Sequence, residues 1–411
     1  MSLYDLFFFL SLAGGFLMAF NLGANDVANS MASAVGARAI TVRQAVIIAG
    51  TLTFVGAVFL GAQVTSTVSK GIINPDQIAE PQIMMVGMFA SLLSATLWVF
   101  IATLTALPVS STHSIVGSIL GFGLVAGGMN VVNWLVLLGV VLSWFISPFL
   151  AASISFLVFS HIRKFILFRP KFLMHALYWA PVWIGLTVCL VGLSFIYKTP
   201  VGDKLPFNNW INLLLVILLA LVVWRISKRL MGKVLTTRED SAENVELIFR
   251  RLQIMTSSYM ALSLGANDVA NAVGPVAAIY MIAREHQFLA QAEVPTYILA
   301  LGGLGIALGV MTFGYKVIAT VGSRITTLNN TRGFSVDFGA ATTVLAASNL
   351  GLPVSTTHSA VGGVVGVGLA RGFKAVDFRV LGRIIAYWVL TVPIAGFTCM
   401  IIYNLLHWIF L

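Results

Sequence analysis

The sequence predicts an all-α polytopic membrane protein made of two inverted-topology repeats. Each repeat holds transmembrane helices and a Pro-broken, re-entrant helical hairpin. Three observations lead there. The 411 residues are 59% hydrophobic and only 9% charged, whereas soluble domains carry about 25% charged residues, so this chain cannot cover a water-facing surface. Apolar runs of bilayer length recur from end to end. Two different short motifs each occur twice, in the same order and at nearly the same separation. No alternating ten-residue pattern dominates, which argues against a β-barrel. The 37 glycines suit close helix packing and broken helices.

Taken in order, continuous apolar runs predict spans at about 6–30, 44–68, 134–160, 176–197, 211–226, 254–282, 297–319 and 384–411. The first run has no basic segment before it and carries Asp26 near its end, so it reads as a retained helix and not a cleaved signal. Two further stretches, 83–127 and 338–369, are interrupted by Leu-Pro-Val-Ser. Proline removes a donor and blocks the preceding turn, so each stretch becomes two half-helices meeting at a tip, or two shorter spans. About 12 membrane segments result when the hairpin legs are counted.

Loop charge sets the orientation. Arg163, Lys164, Arg169 and Lys171 sit in one short loop with no acid; 225–251 is rich in Lys and Arg; 371–383 holds Arg371, Lys374, Arg379 and Arg383 against Asp377. Positive loops stay in the cytoplasm. Counting from them puts both termini outside and makes the first repeat, 1–160, the inverse of the second, 251–411. Residues 161–250 form a two-span linker with a cytoplasmic loop. Within it, 238–251 mixes charge signs and reads as a surface helix. The net charge of +10 therefore reports topology and implies no nucleic-acid partner. Cys189 and Cys399 lie in apolar runs and read as packing residues.

GANDVAN occurs at 23–29 and again at 265–271. Of fourteen acidic residues, Asp26 and Asp268 lie deep in apolar sequence, while Asp5 and Asp337 read as edge positions. A charged side chain in mid-bilayer costs at least ~2.5 kcal/mol even on lenient scales. Accepting that cost twice, at equivalent places, points to function. Asp26 with Asn29, and Asp268 with Asn271, present the oxygen-rich chemistry of a hard-cation site suited to Na+, or of a proton carrier. The bland alternative is that these Asp and Asn side chains merely bond helices together.

The second motif is Leu-Pro-Val-Ser-Ser-Thr-His-Ser at 107–114 and Leu-Pro-Val-Ser-Thr-Thr-His-Ser at 352–359. A half-helix starting after proline offers free N–H groups and a positive dipole end. Ser110, Ser111, Thr112, Ser355, Thr356 and Thr357 add hydroxyl donors, making an anion site without Lys or Arg. Well-capped helices with nothing bound are the alternative. His113 and His358 read as imidazoles bonded to neighbours more than as proton relays. A weaker pairing aligns 61–65 with 322–326, opposing Gln63 to Arg324.

GANDVANS and GANDVANAVGP, together with LPVSSTHS and LPVSTTHS, resemble the signatures of the inorganic phosphate transporter (PiT) family, and the match spans both halves of the chain. The resemblance implies symport of inorganic phosphate with Na+ or H+, inverted repeats, re-entrant hairpins and a homodimer in the cell membrane. Carried over by motif, Asn25 and Asn267 join the hydroxyl tips as phosphate-binding residues. Asp26, Asn29, Asp268 and Asn271 become the Na+ sites. The expectation is therefore a secondary active transporter importing phosphate with Na+, needing no organic cofactor and performing no catalysis. Proton-coupled transport and sulfate transport are the nearest alternatives. An intramembrane hydrolase using Asp26 and Asp268, with Ser and His as nucleophile and base, and an uncoupled anion channel are the rivals from other classes.

Overall fold

The structure is a computed structural model, and it describes residues 2–74, 77, 78, 80–105, 109–199, 208–235, 239–286, 294–315, 318 and 329–411. Leu107, Pro108, Arg324 and the 322–326 partner of 61–65 lie outside the described residues. The long helices are α1 (Leu3–Gly36), α2 (Val42–Leu60), α3 (Pro81–Thr105), α4 (Ser111–Gly127), α5 (Trp134–Ile162) and α6 (Phe172–Lys198). They continue as α7 (Asn209–Leu235), α8 (Ala242–Glu285), α9 (Thr296–Gly309), α10 (Asn330–Asn349), α11 (Thr356–Arg371) and α12 (Phe378–Phe410). Among the described residues, nine helices are long and apolar enough to cross a membrane. The all-helical class and the broken stretches match the sequence expectation.

Polar residues start these helices as capping chemistry requires. Ser2 and Asp5 form a reciprocal capping box on α1, as do Thr41 and Gln44 on α2. The second hairpin turns for a stated reason. Gly351 adopts φ +71°, a conformation open to glycine, and Leu352 N–H closes back on the Ala347 carbonyl. Pro353 then prevents the helix from resuming, and Ser355 caps α11 by accepting from His358 N–H. Ser110 caps α4 through His113 N–H in the same way.

Helix packing repeats between the halves. Helix α1 packs on α3 and α9, while α8 packs on α10 and α2; α12 covers α3 and α4, while α5 covers α10 and α11. Exchanging α1 with α8, α2 with α9, α3 with α10, α4 with α11 and α5 with α12 reproduces each contact. The signature helices α1 and α8 also pack on each other at the centre. Gly23 lies against the Ile306 backbone and Gly265 against the Thr53 backbone, so a Cβ at either position would collide with main chain. Close approach of this kind is what small residues permit in membrane bundles. Helices α6 and α7 pair beside this core, and α7 is largely exposed.

Two expectations are corrected. The mixed-charge segment before residue 251 is no separate surface helix: α8 starts at Ala242 and runs unbroken to Glu285, with Ile248, Phe249 and Leu252 buried. Its apolar positions recur at helical spacing and face α10 and α6, and this decides the matter over the charges between them. Asp337 is not an edge residue. Asn329 caps α10 by accepting from Arg332 N–H, so Asp337 stands two turns inside the helix and is 2% exposed.

Candidate functional site

The hairpin tips carry their hydroxyls to the two signature helices, and they do so crosswise. Ser111 Oγ donates to Asp26 Oδ2 over 3.0 Å, and Thr356 Oγ1 donates to Asp268 Oδ2 over 3.1 Å. The same two hydroxyl regions accept from the opposite half. Asn271 Nδ2 reaches Thr112 Oγ1 at 3.2 Å and Ser111 Oγ at 3.4 Å. Asn29 Nδ2 reaches Thr357 Oγ1 at 3.0 Å and Thr356 Oγ1 at 3.5 Å, and also Asp26 Oδ1 at 3.4 Å. Each tip thus touches the aspartate of its own half and the asparagine of the other.

The remaining predicted residues take supporting positions. Ser110 and Ser355 spend their oxygens as helix caps. Thr112 Oγ1 donates to the Val354 carbonyl at 3.0 Å, tying one tip to the other. Asn267 Nδ2 donates to Ser348 Oγ and the Leu352 carbonyl, which fixes the second hairpin to α8. Asn25 is half-buried on α1.

Asp26 is 2% exposed and Asp268 fully buried. The ion pair recorded among the described residues joins Arg284 to Glu285 on the exposed surface, well apart from them. Asp268 Oδ1, Asn267 Oδ1 and Asn271 Oδ1 are buried without a hydrogen-bond partner among the described residues. Buried oxygens left unpaired are costly unless a cation or water uses them. Their chemistry, carboxylate and amide oxygen, suits Na+.

Two tryptophans that the sequence reading did not single out complete the centre. His358 Nδ1 meets the Trp144 carbonyl at 3.2 Å, and its ring stacks on Trp388 with centroids 3.6 Å apart. His113 Nδ1 meets the Trp388 carbonyl at 2.9 Å, and its ring lies 3.9 Å from Trp144. Pro148 has no N–H, so the Trp144 carbonyl four residues earlier is released from the helix ladder to accept from His358. A carbonyl only accepts, so both histidines carry their proton on Nδ1. Trp144 Nε1 also donates to the Pro353 carbonyl at 3.1 Å. A signal for these residues was present in the sequence, since Trp144 and Trp388 each sit a few residues before a mid-helix proline, Pro148 and Pro393.

This geometry forms neither of the arrangements a hydrolase would use. A catalytic aspartate pair shares a proton between touching carboxylates, whereas Asp26 and Asp268 each bond their own hydroxyl. A Ser–His pair needs an imidazole nitrogen on the hydroxyl; both Nδ1 atoms meet tryptophan carbonyls, and neither His113 Nε2 nor His358 Nε2 has a hydroxyl within hydrogen-bond reach among the described residues.

A family model described as the phosphate transporter family matches residues 22–399. A Pyrococcus abyssi protein provisionally named a phosphate permease is 50% identical over 98% of this chain and 99% of its own length. The chloroplast inorganic phosphate transporter 2-1 of Arabidopsis thaliana is 39% identical over 98% of this chain and 72% of its own. A solved structure titled "The sodium-dependent phosphate transporter" superposes with a TM-score of 0.93 at 46% identity, covering 98% of this chain and 99% of that one.

Proposed function

The chain belongs to the phosphate transporter family, and from that premise we propose that it imports inorganic phosphate by symport with Na+. One observation carries the reading: two buried carboxylates, each hydrogen-bonded to a hydroxyl at the start of a half-helix and joined to the opposite half by an asparagine. A solved relative that bears the words sodium-dependent supports the choice of ion.

Phosphate near neutral pH carries one to two negative charges and is costly to bring into low dielectric. The half-helices α4 and α11 offer their N-terminal dipoles and the hydroxyls of Ser111, Thr112, Thr356 and Thr357. Asp26 and Asp268 alone would repel the anion. Na+ held at Asp26 with Asn29, and at Asp268 with Asn271, reverses the sign of that field. Ion and anion then bind with mutual assistance, and the assistance is reciprocal. Symport follows when the half-loaded protein moves poorly.

In this reading residues 1–160 and 251–411 are inverted repeats, the Lys- and Arg-rich loops face the cytoplasm, and both termini lie outside. The test is labelled-phosphate uptake into proteoliposomes with Na+ and pH gradients imposed separately and sulfate as competitor. Uptake that follows the Na+ gradient at constant pH is expected. Uptake driven by the pH gradient alone assigns the coupling to protons, and uptake indifferent to both gradients indicates a channel.

A further inference from the structure

Two of the basic loops form one surface. Helix α5 gives way after Ile162 to a π-helical turn, Arg163–Leu167, and Lys171 takes φ +56° to start α6. The Arg163 guanidinium donates to the Ala370 carbonyl, one residue before Arg371 at the end of α11. That bond lays the loop after α5 against the loop after α11. Segments 163–171 and 371–383 together carry eight Lys and Arg residues. Two carboxylates border them, and both are spent on backbone. Asp240 Oδ1 accepts from Leu173 N–H, and Asp377 Oδ1 accepts from Arg379 N–H and Val380 N–H. Among the described residues, none of the eight cations is in an ion pair.

Phenyl rings are set among these charges. The Arg163 guanidinium lies 5.1 Å over the Phe168 ring, and Lys164 Nζ 5.4 Å over the Phe165 ring. Phe168 is 71% exposed and Phe373 77%. On α5, Phe149, Phe156 and Arg163 recur every seven residues and so share one face. Phe149 and Phe156 are both exposed. That face adjoins α11, whose Gly362 and Gly366 lie against the Pro148 and Ala152 backbone. An apolar strip thus leads along α5 to the guanidinium. Loop charge that only fixes orientation needs Lys or Arg anywhere in the loop. It asks for neither the tether at Ala370 nor bare phenyl rings beside the charges. Duplication does not supply the charges either. Shifted by the 245 residues that separate the two Leu-Pro pairs, Arg371, Lys374, Arg379 and Arg383 correspond to Ala126, Met129, Trp134 and Leu138.

We propose that this surface binds one anionic phospholipid, its headgroup phosphate on Arg163, Arg371 and Lys374 and an acyl chain along Phe156 and Phe149. By loop charge the lipid comes from the cytoplasmic leaflet. Anionic headgroups are drawn to Lys and Arg at the membrane boundary, and the planar guanidinium matches phosphate oxygens two at a time. A zwitterionic lipid brings its own ammonium and gains less. The phenyl strip selects a lipid over free inorganic phosphate, which has no chain to lay on it. Helix α11 runs from the Thr356 tip to Arg371. The lipid therefore braces this half-helix at the end opposite the phosphate centre, and it does so whichever cation drives transport.

The test is thermal unfolding of the full chain in detergent with added phosphatidylglycerol or phosphatidylcholine, paired with native mass spectrometry to count bound lipid. The wild type is expected to retain one phosphatidylglycerol per chain and to melt higher with it than with phosphatidylcholine. Each Lys or Arg beside an anionic lipid surface changes affinity by about fivefold. The double variant Arg371→Gln, Lys374→Gln should therefore weaken phosphatidylglycerol binding by about 25-fold. The double variant Arg225→Gln, Arg229→Gln removes the same charge from α7 and should leave binding unchanged. All four side chains are exposed, so neither variant disturbs the core. Equal losses in the two variants would reduce the effect to overall charge and overturn the site, as would equal stabilisation by phosphatidylcholine. Displacement of the bound phosphatidylglycerol by inorganic phosphate would assign the arginines to the free ion and overturn the lipid.

Discussion

Ser111 on one hairpin tip donates to Asp26 on the first signature helix, and its hydroxyl oxygen also lies 3.4 Å from the Asn271 amide of the second. One side chain therefore senses both halves of the protein. Thr356 does the same toward Asp268 and Asn29.

Asp26→Asn and Asp268→Asn keep the shape of the side chain and remove its charge. Each should lower Na+-driven phosphate uptake by about 100-fold, the scale of ~2.7 kcal/mol in ion and anion binding. Relief of a buried charge should leave the melting temperature equal or higher. Uptake in proteoliposomes and thermal unfolding in detergent measure the two effects. Uptake at the wild-type rate by either variant would remove the ion role assigned to that residue.

Ser111→Ala and Thr356→Ala delete one hydroxyl apiece. Hydrogen bonds to charged groups are worth about 1.5–3 kcal/mol, so the phosphate KM should rise by about 10-fold or more. The two variants should resemble each other, because their surroundings are exchanged copies. An unchanged KM in both would locate the anion elsewhere.

His358→Phe keeps the stacking surface on Trp388 but leaves the Trp144 carbonyl, already released by Pro148, without a donor. An unsatisfied buried carbonyl costs about 1–3 kcal/mol. Stability should fall by that amount and the turnover rate with it, while the dependence of uptake on Na+ concentration stays as in the wild type. A changed Na+ dependence would make the imidazole part of the ion pathway.

Gly265→Leu forces a side chain into the Thr53 backbone. Overpacking of this sort costs about 1–3 kcal/mol, so the melting temperature should drop, as it should for Gly23→Leu against Ile306. A purely functional loss with unaltered melting would show that the helices have room to separate.

The chemistry of the centre was legible because it is duplicated. Asp26 and Asp268 stand out against apolar sequence, and the Leu-Pro-Val-Ser breaks announce their own turns. Asp337 was not legible in the same way. The polar residues Asn329, Asn330, Thr331 and Arg332 precede it, and the apolar stretch read from the sequence begins only at residue 338. They begin a helix because Glu246, arriving from α8, accepts from Asn329 Nδ2, Thr331 Oγ1 and Thr331 N–H. That stabilisation is tertiary and leaves no local trace. Comparing Asp337 with its apolar counterpart Leu92 would have marked it, since a position that breaks a repeat is free of the packing demand its partner obeys. The start of α8 escaped for a similar reason, its charges masking the spacing of Ile248, Phe249 and Leu252.

The bonds from Asn29 to Thr357 and from Asn271 to Thr112 set a lower bound on what can work as a unit. A gene fragment encoding either half alone would supply a hairpin tip with no amide from across the centre, and two orphaned helix faces. Two separately made halves would have to find each other to complete the same ring of contacts. A single chain that carries both halves fixes their ratio at one to one.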